Sequence, residues 1–430
     1  MVAATAPEIG SLGRGCIGKT MNIHAPGPTG RIHPPLIGLA PLCRLAFDGA
    51  DLKPLGQHMR DRIAADPKDA AALMDLSKIL QLAGDRAGGL AAQAAALQLQ
   101  RVYRHRSTTG ADRLRLLAFV VPGDFMANTP VEFLLEGSDV ALDLCFLDPE
   151  QPACPSVSAH DAAFVAVSES DHNMLILKYL SDMLRTWPRP VLNAPERIAR
   201  LSREESHALL HGAPGVEMPA AARVGREQLA LLAAGTPVRT LLEDGRFPII
   251  ARPAGSHAGS GLARLDDPAA VAAYLAGQGA DAFQIARFVD YRGADGHYRK
   301  ARVVFIGGRP FACHMAVSSD WMVHYLNAGM TGSAAKRAEE AAFMARFDED
   351  FAARHARAFS ALAERTGLDY FGIDCAETPE GKLLVFEVDV AMIVHAMDPP
   401  DLFPYKPPQM RKVFGAFCDM LRNAAATIPA

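Results

Sequence analysis

Phe371-Gly372-Ile373-Asp374-Cys375-Ala376-Glu377-Thr378-Pro379-Glu380-Gly381-Lys382-Leu383-Leu384-Val385-Phe386-Glu387-Val388-Asp389 reads as two apolar strands around a Pro-Glu-Gly turn, with acids set into both. Side chains alternate along a strand, so Glu387 and Asp389 share a face, and the turn can fold Asp374 back beside them. Carboxylates among Ile, Leu, Val and Phe are costly to bury unless something positive compensates them, and a hard cation with oxygen ligands would do so. Asp374, Glu387 and Asp389 are therefore candidate ligands for Mg²⁺ or Mn²⁺. The alternative is a hairpin with one solvated face.

A second element lies upstream, Phe247-Pro248-Ile249-Ile250-Ala251-Arg252-Pro253-Ala254-Gly255-Ser256-His257-Ala258-Gly259-Ser260-Gly261-Leu262. An apolar strand ends in a cation and opens into a loop of small residues. Gly255, Gly259 and Gly261 leave the backbone free to approach a polyanion, so the N–H groups around Ser256 could cradle phosphates while Arg252 supplies fixed charge.

Together the two elements resemble the ATP-grasp superfamily, in which a glycine-rich loop and a late Asp…Glu-x-Asn motif close on Mg-ATP from opposite sides; here Asp389 stands in the Asn position. The similarity spans about residues 110–425 and is greatest to the branch containing glutathione synthetase and the ligase that adds glutamate to ribosomal protein S6. It implies an α/β protein whose ATP-grasp fold has two α+β subdomains clasping ATP. It also implies that Phe283 to Asp290 is the strand and hinge holding adenine, with Arg287, Phe288, Val289 and Asp290 at the nucleotide. Arg302, or Arg299 as second candidate, would contact the transferred phosphoryl group. Two lysines usual on the nucleotide phosphates are matched by Arg252 and Arg203, a change that keeps the charge and adds a bidentate fork. Lys300 replaces the commoner Asp two residues before the catalytic Arg, and Asp290 could supply the ribose contact instead.

Residues 1–45 are rich in Gly, Pro, Ala and Thr and read as a flexible segment. Gly13 to Thr20 matches G-x-x-x-x-G-K-[ST], but neither a strand before it nor a helix after it is legible, so Lys19 is expected to play no part in nucleotide binding. Residues 46–106 read as helical: Leu73, Leu76, Ile79, Leu80 and Ala83 keep helical spacing after Asp69, a candidate cap, and Gly84-Asp85 breaks the run before a helix from about Ala87 to Tyr103. One tetratricopeptide-like unit is visible, which either packs on the body or offers a surface to a peptide, a partner or a second copy.

From 107 to 195 strands and helices alternate, the sign of a small parallel α/β domain, and the ATP-grasp domain follows from 196 to 430. Asp124, Asn128 and Glu169 fall at strand ends, either as substrate contacts or as turn formers. His314, His324, Tyr325, Asn327 and His395 are further substrate or phosphate candidates.

The 430 residues carry 44 basic and 48 acidic side chains, a net charge of −4, which argues against a general nucleic-acid or anionic-membrane surface. No run of 18 apolar residues suggests a membrane span. Seven scattered cysteines without a C-x-x-C pair read as reduced thiols, and with no secretory signal apparent a cytoplasmic location is expected. The resemblance implies an ATP-dependent ligase that joins a small-molecule or peptide carboxylate to an amine through an acyl phosphate. A phosphotransferase and a non-catalytic ATP-binding adaptor are the alternatives.

Overall fold

The computed structural model describes residues 35–148, 153–256 and 259–427. The Gly13 to Thr20 match and its Lys19 lie outside them, as do His257 and Ala258 of the glycine loop.

Three sheets carry the fold. The first joins β1 (Val102–His105), β2 (Leu114–Val120), β3 (Val140–Phe146), β4 (Ala162–Val165) and β5 (Val191–Leu192) in the order β1-β3-β2-β4-β5. β2 to β5 are parallel, as continuous apolar runs such as Val140–Phe146, buried at every position, require. The third sheet orders β12 (Arg309–Ser318), β11 (Tyr298–Ile306), β13 (Tyr370–Glu377), β14 (Leu383–Asp389) and β6 (Val216–Glu217). Its β11, β12, β13 and β14 are antiparallel hairpins, with Gly307, Gly308 and Gly381 supplying the positive φ of the turns. These two sheets share cores: Phe119, Val165 and Leu180 pack with Val303, Phe305 and Phe371.

The second sheet stands apart. β7 (Ala221–Gly225), β8 (Ile249–Pro253), β9 (Ala263–Leu265) and β10 (Ala282–Arg287) form an antiparallel sheet in the order β7-β10-β8-β9. Helices Arg226–Ala233 and Pro268–Gly277 close over it around Val224, Leu229, Val271 and Phe283, a core of its own. Two α+β units thus face each other across a cleft, the arrangement expected from the sequence.

The N-terminal helices are α1 (Leu39–Phe47), α2 (Lys53–Ala65), α3 (Ala70–Leu82) and α4 (Arg86–Leu99). Asp69 and Asp85 cap α3 and α4, accepting from Ala72 N and Gly88 N at 2.9 Å each. Two expectations need adjusting. α1 begins inside the segment read as flexible to residue 45, because the buried Asp75 carboxylate accepts from Ile37 N at 2.8 Å and Gly38 N at 3.1 Å, and Leu42 fills the helical core. The helix taken to Tyr103 stops at Leu99, and Val102–His105 pairs antiparallel with β3 instead. Ala70, Met74 and Ala96 share a core with β2 and β3, so α3 and α4 are fastened to the body. No helix of the described residues is long and apolar enough to cross a membrane.

Behind the third sheet Glu340, fully buried, accepts from Met315 N (3.0 Å), Tyr325 OH (2.9 Å) and Tyr405 OH (2.6 Å), and lies 3.4 Å from Lys406 Nζ. Removing one member of a buried charged network leaves the others unpaired. Glu340→Ala is expected to cost about 3–5 kcal/mol, read as a lowered urea midpoint. A midpoint equal to wild type would show that the network carries no stability.

Candidate active site

The cleft between the second and third sheets has a volume of about 1850 Å³. Its floor is the upper face of β11, β13 and β14, its roof is β8, β10 and the glycine loop, and one wall is α4 with the loops after β2 and β4.

On the roof, Arg252 ends β8 and lines the cleft beside Gly255 and Gly259, whose φ values of +72° and +75° demand glycine. Burial and then the nearby Arg203 lower the Arg252 guanidinium to about 10. One of its nitrogens donates to the Ser256 carbonyl, while its Nε and the Ser256 Oγ are buried with no hydrogen-bond partner among the described residues. Buried donors without partners are costly, and Arg252, which lines the cleft, is placed to meet an anion entering it, whereas Ser256 does not line the cleft. Gly261 has a different role: it does not line the cleft, and a Cβ there would meet Pro253 Cδ at 2.6 Å. At the hinge, Phe288 and Val289 line the cleft, with the Arg264 guanidinium 4.4 Å from the Phe288 ring centre and Trp321 edge-on at 5.6 Å.

On the floor the acids separate into two groups. Asp374 lies opposite both Arg302 on β11 and Glu387 on β14. Its Oδ1 accepts from Arg302 Nε at 2.9 Å, and its Oδ2 takes Lys300 Nζ at 2.8 Å and Arg302 Nη2 at 3.2 Å. Burial alone would raise this carboxyl, but Arg302 and Lys300 hold it well below the usual carboxylate range. Glu387 pairs with Arg203 Nη2 at 2.6 Å. Among the described residues Asp389 accepts only a backbone bond, from Ala391 N at 2.9 Å, and burial with Glu387 beside it pushes its carboxyl up to about 7. Glu169, on the facing loop, is likewise raised to about 7 by burial, Asp171 and Asp389.

Mg²⁺ is ordinarily held by one or two carboxylates together with substrate phosphates. Glu387 and Asp389, with their surplus negative charge, fit that demand; Asp374, covered on both oxygens by cations, does not. Among the described residues no three of His, Cys, Asp or Glu converge as a ready-made metal cluster.

At the far end, His314 pairs with Arg302 across β11 and β12 and lies tilted against the Tyr325 ring, ring centres 4.6 Å apart. Burial, then Arg302 and Lys406, depress its imidazole well below the ordinary value and keep it neutral. His324 is lowered by burial and Lys300. His395 is lowered to about 4 by burial, and its Nδ1 accepts from Met397 N at 3.1 Å. Lys406 is not legible from sequence; it reaches this end from the C-terminal helix Lys406–Ala426 and sits 3.0 Å from Asp398 and 4.1 Å above the Tyr325 ring. No motif surrounds it; only the tertiary path of the helix brings it here.

Several candidates fall elsewhere. Arg299 points away from the cleft into ion pairs with Asp295 and Glu339, so of the two candidate arginines only Arg302 lines the cleft. Asn128 exchanges 2.8 Å bonds with both backbone groups of Val121 and fixes its own turn. Asp290 is drawn off by Arg292 at 2.9 Å, and Asn327 is exposed outside the cleft. Arg287 lines the cleft, but its guanidinium is tied to Glu217 (3.0 Å) and Asp244 (2.9 Å). Asp124 lines it too, bound to Arg86 at 3.0 Å.

No protein-family model and no curated protein matches the chain. Among solved structures it is similar to a RimK-domain ATP-grasp protein from Sphaerobacter thermophilus (16% identity over 71% of this chain and 99% of that one, TM-score 0.38). It is also similar to the VanG D-Ala:D-Ser ligase of Enterococcus faecalis (11%, 72% and 98%, 0.41) and to the D-alanine–D-alanine ligase of Bacillus anthracis (10%, 73% and 97%, 0.39). Overlap of this extent leaves the chemistry to be read from the site's own residues.

Glu169 offers a direct check of the acidic side. Its folded-state value lies above its ordinary 4.5, so the native state holds a proton that the unfolded chain releases. The stability this contributes is complete below about 4.5 and is lost as pH rises through about 7. Glu169→Gln should therefore show a smaller fall in urea midpoint between pH 5 and pH 8 than wild type. Equal falls would mean that burial and the neighbouring acids do not raise Glu169.

Proposed function

We propose that this chain is an ATP-grasp enzyme that joins a carboxylate to an amine at the expense of ATP. The observation that carries the reading is Arg252, whose buried Nε has no hydrogen-bond partner among the described residues, set at the mouth of the glycine loop in a cleft whose floor holds Arg302, Glu387 and Asp389. Such a cleft suits a polyanion that arrives with its own divalent cation.

Arg252, with the backbone around Gly255 and Gly259, binds the nucleotide phosphates, and Arg203 reinforces them from the floor side. Phe288 and Val289 at the hinge border the base. Glu387 and Asp389 would hold Mg²⁺, which would screen the triphosphate and draw electron density from the phosphoryl centre. Arg302 has three of its five N–H donors engaged, two by Asp374 and one by Ile393 O at 3.1 Å, which leaves two for the oxygens of the group in transfer. The acceptor carboxylate attacks the γ-phosphorus and ADP leaves; the amine then attacks the acyl carbon, giving the amide and phosphate. Most of the catalytic effect lies in positioning and charge compensation.

Two variants separate the roles. Arg252→Ala removes charge-assisted bonds made to ground-state ATP, so the Kd for ATP should rise roughly 10- to 100-fold. Arg302→Lys keeps a charge beside Asp374 but loses the fork, so kcat should fall roughly 100-fold with the ATP Kd within about threefold. A mass-spectrometric screen of acids and amines with ATP should reveal an amide product with ADP. A stable phosphorylated acceptor would make the enzyme a phosphotransferase, and tight ATP binding without ADP release on any acceptor would defeat the enzymatic reading.

A further inference from the structure

Lys300 and Arg302 are two residues apart on β11 and therefore project from the same face, and both reach the Asp374 carboxylate across the strand pair. Two cations on one carboxylate leave the trio with a net positive charge. Asp374 is 5% exposed, and Arg302 is further anchored to the Ile393 carbonyl, so the arrangement is built into the sheet. On the neighbouring strand the balance is reversed, with Glu387 and Asp389 facing the single guanidinium of Arg203. A divalent ion approaching Asp374 would meet two like charges within contact distance of its ligand, whereas one approaching Glu387 and Asp389 would relieve a surplus.

We infer that Lys300 is a built-in counter-cation for Asp374, so that the nucleotide complex takes up one divalent ion, at Glu387 and Asp389, and none at Asp374. This rests on the ATP reading above. Lys300 lines the cleft, and its ammonium has three donors of which Asp374 takes one. The remaining donors are available to an anionic substrate, so the fixed charge performs at that position the screening a second ion would bring, without metal-dependent affinity.

The test uses the full chain with a non-hydrolysable ATP analogue, β,γ-imido-ATP, and counts bound Mn²⁺ from the electron paramagnetic resonance of the free ion. The wild type is expected to bind one Mn²⁺ per chain, K300R one, and K300Q a second, which the double variant K300Q/D374N loses again. D374N alone is expected to keep one ion with its Mn²⁺ Kd within about twofold, equivalent to roughly 0.4 kcal/mol, a result that stands whether or not K300Q folds. Two ions on the wild type, or loss of Mn²⁺ from D374N, overturns the inference. Calorimetry with the analogue separates the two levels: absence of nucleotide binding overturns the ATP reading and this inference together, while normal binding with two ions overturns this inference alone.

Discussion

Arg302 and Asp374 face each other across β11 and β13 in the middle of the third sheet; the Asp374 carboxylate is buried, while the Arg302 side chain remains 21% exposed where it lines the cleft. Its stability comes from completeness: both carboxylate oxygens and three guanidinium donors have partners. Breaking one side of such a pair typically costs about 3–5 kcal/mol because the other charge is left uncompensated. The pair also fixes positions beyond itself. Through Ile393 it anchors the segment that leads from β14 to His395, and through the β11–β12 register it sets His314 against Tyr325 and, behind that ring, Lys406 and Glu340. The cleft floor is a consequence of one satisfied charge pair.

Around this centre the charges are sorted. Cations without full compensation, Arg252 above all, line the roof, and acids without full compensation, Asp389 and Glu169, line the floor and facing loop. Groups of opposite sign on opposite walls do not neutralise each other at a distance filled by water. They retain the free energy that an ordered chain of anion and cation between them would recover.

The hairpin Phe371–Asp389 could be read from sequence because strand alternation and turn chemistry are local, and the same is true of the glycine loop, the caps at Asp69 and Asp85, and the apolar runs of the parallel sheet. What could not be read depended on partners distant in the chain. Asp295 is close to Arg299 in the chain, but nothing there shows that Glu339, 40 residues on, will complete the pairs that turn it outward, or near Arg287 that Glu217 and Asp244 will bind it. Lys300 looked like the loss of a carboxylate, and only the strand register reveals it as a second cation on Asp374. Gly261 looked like a phosphate contact, yet what excludes a side chain there is Pro253. Val102 and Tyr103 were assigned to a helix because the preceding residues have helical spacing; their β-branched and aromatic character, together with the open edge of β3, decides otherwise.

The second sheet keeps its own apolar centre, around Val224, Leu229, Val271 and Phe283, distinct from the cores that bind the other two sheets together. A unit with a separate core has a melting equilibrium of its own, so the chain need not denature as a single cooperative body. A molecule held by both walls would tie the two equilibria together, since it binds only when both units are folded. Heat capacity traces recorded with and without nucleotide would then differ in shape as well as in position, and the merging of two peaks into one would measure how strongly the bound molecule links the two units.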